Sequence, residues 1–401
     1  MSFPVKAFNW QMRGASPSNG TPSSWINILK ACLMDGFGDA TAVTGTILNG
    51  VCRLEFNAST TFQQNSVVLV SGANVVSING ENKVTSSSSN SIEFKTLESN
   101  QTLIGTITVK YAPVGSWYMP FTGTNTAALR TTSALGGDVF FHIDDTQARS
   151  MRMRMYSHMG DVNNGQKPVP ILSENPFYFT KSIYSDTTAW PWFIVADERA
   201  VYFINAYYAN ATNPDFYRQQ AWYTTGFGYL VPNGYTSKLH AFVHAPRDET
   251  LSNRSAVSFG KVMFSSDYDE RDSCIVYVNP ATGNYGAKTQ VFSKITGGIA
   301  RLLSGCTGPE FNLPNRQRIL SEFMVRAEEH YIGRLPGLWC LLNKESAPVT
   351  KMEALYQGVE QLHGRSLMGV VCGDGSTYPN QAYPENSYQI GFGFIDLTGP
   401  W

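Results

Sequence analysis

Few residues in this chain are spaced to do chemistry. His240 and His244 stand four apart in SKLHAFVHAPRD. On a helix they would share a face, but Leu239, Ala241 and Val243 alternate with His240, Phe242 and His244, which predicts a strand. Four strand residues span about 13 Å, too far for two imidazoles to share one zinc ion, and no H-E-x-x-H accompanies them. Asp144 and Asp145 are neighbours on a predicted strand and so point to opposite faces. Glycoside cleavage instead needs two carboxyls about 5–9.5 Å apart across one groove. Asp267, Asp269, Glu270 and Asp272 lack the spacing of a calcium loop and read as a solvated loop. Glu328 or Glu329 with one of these acids is the remaining carboxylate pairing, and nothing in the sequence brings them together. Cys372 precedes a Gly-Asp-Gly-Ser turn, with His363 a partner by sequence proximity alone. There is no G-x-S-x-G and no Walker loop. Gly297-Gly298 and Gly391/Gly393 read as turn and strand packing. The reading assigns no catalytic residue, no metal ligand and no cofactor, and expects a protein that is not an enzyme.

Six cysteines, Cys32, Cys52, Cys274, Cys306, Cys340 and Cys372, include no C-x-x-C pair. Without a secretory pattern at MSFPVKAFNWQM they are expected to be buried or inert thiols, with no disulfides. Net charge is −1, from 30 Lys+Arg against 31 Asp+Glu. That balance argues against nucleic acid as a partner and removes the polybasic route to a membrane surface. No stretch approaches the roughly 18 apolar residues of a membrane span, so no membrane insertion is expected. Aromatic residues make up 13% of the chain and crowd one segment: Tyr184, Trp190, Trp192, Tyr202, Tyr207, Tyr208, Tyr217, Trp222, Tyr223, Phe227 and Tyr229. Cross-strand core pairing accounts for most such clusters. The functional alternative is a contact surface for a glycan or a protein, placed on Tyr207, Tyr217, Trp222 and Tyr223.

The elements that would position these residues are mostly strands. One helix is signed by SSWINILKACLMDG over 23–36, with Trp25, Ile28, Leu29, Cys32 and Leu33 on one stripe, Ser24 as N-cap and Gly36 as stop. It should lie against a flat surface. Period-two runs follow: Met151, Met153 and Met155 against Arg152, Arg154 and Tyr156, and Gly105, Ile107, Val109 and Tyr111 against Thr106, Thr108 and Lys110. Short β-prone runs at 139–141, 192–195, 201–204, 275–278 and 390–395 are bounded by turn residues. Residues 318–331 lean to strand. The fold class is therefore mainly β, a sandwich- or barrel-like larger domain with one or two short helices and a small inserted β-module. Residues 1–40 give an N-terminal arm and helix belonging to the main domain. Residues 41–115 give the module, with four or five strands, an Asn79-Gly80 hairpin turn and the Ser-rich tip Ser86–Ser91. Residues 116–401 give the main β-rich domain, with a further break allowed near residue 310. The arm, holding Phe3, Phe8 and Trp10, is expected to extend across a neighbouring subunit.

Several of these stretches together resemble a family of tailed-bacteriophage virion structural proteins. The resemblance runs through the opening helix, the module at 67–110, APVGSW with PFTGTN at 112–125, DDTQARSMRMRMYSHMGDVNNG at 144–165, and AWPWFIVADERAVYF at 189–203. It continues through TTGFGYL at 224–230, IGRLPGLW at 332–339 and the ending IDLTGPW. It covers nearly the whole chain in order, loosest at 168–186 and 340–366. It implies a tail-associated component of the sheath or appendage type, as in short-tailed phages, made in the host bacterial cytoplasm without a signal and located in the virion. The implied partners are other copies of the chain in a symmetric homo-oligomer, other tail proteins and a host surface receptor. The alternatives are a receptor- or glycan-binding tail protein and a capsid decoration protein. The family brings no catalytic residue to carry over.

Overall fold

The computed structural model describes residues 3–57, 62–134, 138–169, 172, 176–182, 184–206, 223–232, 240–243, 275–278, 300–303, 317–327, 330–341, 355–359, 362–373 and 390–401. The fold is mainly β, built of antiparallel sheets with, among the described residues, one short α-helix. The β-prone runs become strands Phe140–Asp144, Trp192–Ala196, Ala200–Asn205, Ile275–Val278 and Ile390–Asp396. Within 318–331 the described residues are strand as expected, divided between Gln317–Ala327 and His330–Leu341.

A six-stranded sheet runs in the order Lys6–Asn9, Trp192–Ala196, Ala200–Asn205, Tyr223–Tyr229, His240–Val243, Ile275–Val278. Trp192–Ala196 and Ala200–Asn205 are buried at every position, the signature of strands covered on both faces. The helix Ser24–Lys30 packs on this sheet, the indole of Trp25 lying 5.5 Å from the Phe203 ring and 4.6 Å from Phe179. Trp25, Ile28, Leu29, Cys32 and Leu33 are all fully buried, so the apolar stripe faces inward as its spacing requires. The helix then widens into a π-turn over Ala31–Asp35 and stops at Gly36.

The expected cap differs. Ser24 is the first helical residue and donates its hydroxyl to the Asn19 carbonyl. Ser23 holds the N-cap position at φ 64 with no capping side chain. The free N–H groups of Trp25 (2.8 Å) and Ile26 (3.3 Å) are taken instead by the Asp145 carboxylate, 120 residues away in sequence. Lys181 completes the group. It is fully buried with Asp145 and donates to that carboxylate and to the Thr21 carbonyl. Burial pushes the Asp145 carboxyl up to about 6, against the opposing pull of Lys181 and the helix amides. Burial also draws Lys181 down. Ser18 and Asn205 extend the network: the Ser18 hydroxyl accepts from the Trp25 indole N–H and donates to Asn205 Oδ1, while Asn205 donates to the carbonyls of Thr180 and Lys181.

The arm also departs from expectation. Residues Lys6–Asn9 form the first strand of the six-stranded sheet, paired with Trp192–Ala196 of the same chain. Phe8 is buried against Phe37, and Trp10 meets Phe193 edge-on at 5.0 Å. The arm therefore buries Phe8 and packs Trp10 within its own chain, because strand Trp192–Ala196 offers it an edge to pair with.

Residues 37–111 build two small sheets. One orders Phe37–Thr41, Thr108–Tyr111, Val67–Ser71, Gly80–Lys83, and the other Ser86–Ser87, Ser91–Lys95, Val51–Glu55, Thr44–Leu48, Gln101–Thr102. That is more strands than the four or five expected, because Ser86–Ser87, Gln101–Thr102 and Gly80–Lys83 carry no apolar alternation to betray them. Asn79-Gly80 is not a hairpin turn. Asn79 uses its side chain to bracket the Ala73 backbone, closing a longer loop before Gly80. The tight turn lies at Asn49-Gly50, both in left-handed conformation (φ 52 and 76), joining Leu48 to Val51, the geometry that favours Asn-Gly.

Gly72 and Gly105 meet back to back at φ 84 and 119, and a Cβ on either would strike the other segment's backbone. We expect Gly105→Ala to cost about 2 kcal/mol or more, read from urea unfolding. A loss under about 0.5 kcal/mol would show that the two segments can part freely.

A five-stranded sheet, Trp117–Gly123, Thr126–Thr131, Phe140–Asp144, Ser150–Tyr156, Phe177–Thr180, follows in chain order. Met151, Met153 and Met155 face the core and Arg152 and Arg154 face out, as the alternation predicts. The last sheet closes on itself. Strands His330–Leu341, Gln317–Ala327, Ala300–Leu303, Leu355–Val359, Ser366–Gly373 and Ile390–Asp396 pair in a ring, because His330–Leu341 also pairs with Ile390–Asp396. The ring is tied to the six-stranded sheet by the Tyr202 hydroxyl, which donates to the Pro336 carbonyl, and by Trp401 against the Tyr202 ring. One hydrophobic cluster runs from Val5 to Trp401 through the module.

Candidate interaction surface

Among the described residues, those singled out for chemistry are not assembled. Asp144 pairs with Arg152 on the outer face of the five-stranded sheet while Asp145 turns inward to Lys181, so the two carboxylates diverge. His240 lies on the strand His240–Val243, and His244 is outside the described residues, as are Asp267, Asp269, Glu270, Asp272, Glu328 and Glu329. His363 is exposed in a turn, and Cys372 belongs to the strand Ser366–Gly373. Among the described residues no group of three His, Cys, Asp or Glu side chains could hold a metal ion. Cys32 and Cys52 are buried free thiols, and burial pushes Cys52 up to about 12.

Of the aromatic segment, Trp190, Trp192, Tyr202, Phe227 and Tyr229 are buried in the core. Tyr184 is 51% exposed and stacks on Trp190 at 6.0 Å. Tyr207, Tyr208, Tyr217 and Trp222 lie outside the described residues. Tyr223 opens the strand Tyr223–Tyr229, its backbone opposite Asn205.

Exposed apolar side chains collect elsewhere. Leu97 is 99% exposed, Val76 82%, Ile104 70% and Leu48 61%. All four belong to the small sheets and their loops, and the segments that carry them are bonded to one another. Gly50, at the Leu48 turn, accepts from the Thr96 amide (2.9 Å), and Asn100 accepts from the Asn49 amide (2.7 Å). Ser77, beside Val76, donates to Glu98. Asn74 and Ile104 exchange two hydrogen bonds. Single exposed hydrophobes need no explanation, but these four stand on adjoining, mutually bonded segments and form an exposed apolar rim of the unit. The edges are blunt, since Ser86–Ser87 and Gln101–Thr102 are two-residue strands. Docking there would use side chains, not strand addition.

The same unit is held to the arm by other residues. Lys6, itself buried, donates to the Glu81 carboxylate and the Pro113 carbonyl, the Phe3 amide reaches Glu81, and Asn9 and Gln63 exchange side-chain hydrogen bonds. Burial lowers the Lys6 ammonium against the pull of Glu81. None of these anchors uses the rim that carries Leu48, Val76, Leu97 and Ile104. Over residues 41–115 the bases Arg53, Lys83, Lys95 and Lys110 balance the acids Glu55, Glu81, Glu93 and Glu98, so the rim belongs to an electroneutral unit. Sequence reasoning named aromatic residues for a contact surface and did not single out these four side chains of the 41–115 module. They look like core residues until burial distinguishes them. Comparison of the chain with protein-family profiles and with curated proteins finds no match to either.

Proposed function

We propose that the chain is a non-enzymatic structural subunit of a bacteriophage virion, a tail sheath or appendage component that works by self-assembly and docking. The observation that carries the reading is the exposed apolar rim of a small β-unit whose charges balance. It suits contact with identical copies, where like-signed patches would repel and shaped neutral ones need not. Its hydrogen-bonded loops are ordered before contact, which lowers the entropy cost of docking. The resemblance of successive segments to the tail-associated family supports the same assignment. Closed symmetry would then bring many copies together around the tail.

The test is native mass and sedimentation of the purified chain beside L97E/I104E. Wild type should form a multi-subunit species. The double variant should shift to smaller species while its unfolding free energy stays within about 0.5 kcal/mol per site, as exposed positions allow. A wild-type chain that is a monomer at every concentration and turns over a polysaccharide would overturn the reading. A second reading, receptor or glycan binding, is favoured by one feature, the exposed Tyr184 ring stacked on Trp190, which could receive a sugar face. A Tyr184→Ala variant that loses host-cell binding while assembling normally would select it.

A further inference from the structure

The outer face of the five-stranded sheet carries a second, separate apolar cluster. Ala128, Phe140, Tyr156 and Met159 are buried there, with Phe121 packed against them. They are covered by a short hairpin, His158–Met159 paired with Gly165–Gln166. The hairpin is pinned where it leaves and rejoins the sheet. Tyr156 ends the strand before it, and Val169 after it exchanges two backbone hydrogen bonds with Met155 (2.8 and 2.9 Å). Between these points its own amides bond inside the hairpin: Ser157 to Gln166 and Gly160 to Asn164. Asp161 holds the tip by accepting from the amides of Asn163 and Asn164. Lys167, a non-glycine residue at φ 50, lies just before the point of return. The cover therefore has the build of a unit that can lift as one piece.

What holds it down is contact with the sheet. Gly165 lies flat on the Tyr156 ring, where a Cβ would not fit, and Val162 approaches Gly123 at the end of the first hairpin of the sheet. Met159 is 3% exposed. The polar group there is His142, partly buried beneath the hairpin, with the Val162 backbone beside it and the Tyr156 ring edge-on at 5.9 Å. Arg154 stands directly opposite His142 on the neighbouring strand, and the Asp144–Arg152 pair lies two residues along. Tyr156 is the remaining titratable group on that strand. On the other neighbouring strand His142 faces Ala128, and Arg130 turns away over the Phe140 ring to pair with Asp138. The hairpin itself brings His158, edge-on to Phe140, and Asp161.

We propose that the hairpin 157–166 is a proton-released flap: a proton on His142 loosens it and uncovers the apolar plate formed by Phe121, Phe140 and Tyr156. The physical reason is placement. With the flap closed a charged imidazole would be partly desolvated, and lifting the flap returns it to water, whereas Arg154 and the Asp144–Arg152 pair stand on the sheet and stay beside it in both states. Burial, aided by Arg154 and Arg152, holds His142 below its ordinary range despite Asp144 and the Val162 carbonyl. A depressed histidine favours the closed form above its free pKa of about 6.5, and that preference is lost as pH falls through the folded value. Asp161 does not act in this window, because its hydrogen bonds with Asn164 and Asn163 hold it below the usual carboxylate range.

Met159 provides the readout. Its thioether is shielded by the closed flap, and its oxidation by dilute hydrogen peroxide can be followed by peptide mass spectrometry with the buried core Met153 as internal reference. We expect Met159 to oxidise about threefold faster or more at pH 5 than at pH 8, below the tenfold-per-pH-unit ceiling of a single proton. Met153 should stay protected at both. In His142→Gln, which cannot titrate, the Met159 rate should be the same at both pH values. In His158→Gln the pH dependence should remain. A wild-type Met159 rate that does not change with pH overturns the proposal. So does a dependence that survives His142→Gln or vanishes with His158→Gln. The wild-type and His158→Gln measurements decide the matter even if His142→Gln does not fold.

Discussion

Lys181→Met should destabilise the protein by roughly 3–5 kcal/mol, the largest single effect expected from any substitution considered. The ammonium is fully buried beside the equally buried Asp145 carboxylate. Removing one partner of such a pair strands the other charge without its counter-ion. Asp145 would keep the amides of Trp25 and Ile26, which soften the loss without neutralising a carboxylate. The helix depends on the same group, so its first turn should fray with it, seen as lost protection of the Trp25 and Ile26 amides. Adding Asp145→Asn to Lys181→Met should return at least half of the lost stability, because the uncompensated charge is then gone. That non-additivity identifies a coupled pair. A Lys181→Met variant within about 1 kcal/mol of wild type by urea unfolding would mean that water reaches the site.

Asp197 carries the second large effect, with the opposite sign. It lies in the turn between Trp192–Ala196 and Ala200–Asn205, where its carboxylate accepts from the amides of Arg199 (2.7 Å) and Ala200 (2.9 Å). Burial pushes it up to about 6 from the ordinary 3.8, outweighing those two hydrogen bonds and Arg199. The folded state thus holds a proton in a range where the unfolded chain has released it. Stability therefore rises as pH falls through about 6 toward 4, and the ionised form is the costly one at pH 7. The gap corresponds to about 3 kcal/mol. Asn at this position retains an acceptor for both amides and carries no charge. Asp197→Asn should be more stable than wild type at pH 7 by about 2 kcal/mol and equal to it near pH 4. Denaturant midpoints at the two pH values check this. An equal loss at both would show that the carboxylate itself is required.

How much of this was legible in the sequence follows from the range of each interaction. The strand Ser150–Tyr156 was readable because one face is core and the other is not, so Met and Arg alternate. The helix stripe was readable for the same reason. Its cap was not, because the capping carboxylate comes from 120 residues away, and the local Ser24 looked sufficient. Two Asn-Gly pairs make the same point. Asn49-Gly50 turns a hairpin, and Asn79-Gly80 does not, because Asn79 is engaged with Ala73 six residues back. The exposed apolar rim was unreadable for a further reason. Ile104 precedes Gly105 and the buried alternation of Ile107 and Val109, and nothing in the residue type separates it from them. The alternation places Tyr156 with Arg152 and Arg154 opposite the methionines, and it does lie on that outer face, but it is buried there with Phe140 under a hairpin that no local alternation foretold.

The pairing of Lys6–Asn9 with Trp192–Ala196 has a bearing on synthesis. A ribosome adding about 5–20 residues per second needs roughly ten to forty seconds to travel from one partner to the other. Through that interval Phe8 and Trp10 must wait with their docking groove unmade. A nascent chain stalled before residue 196 would present them to chaperones. Completion of that sheet edge is thus timed by translation of its partner strand.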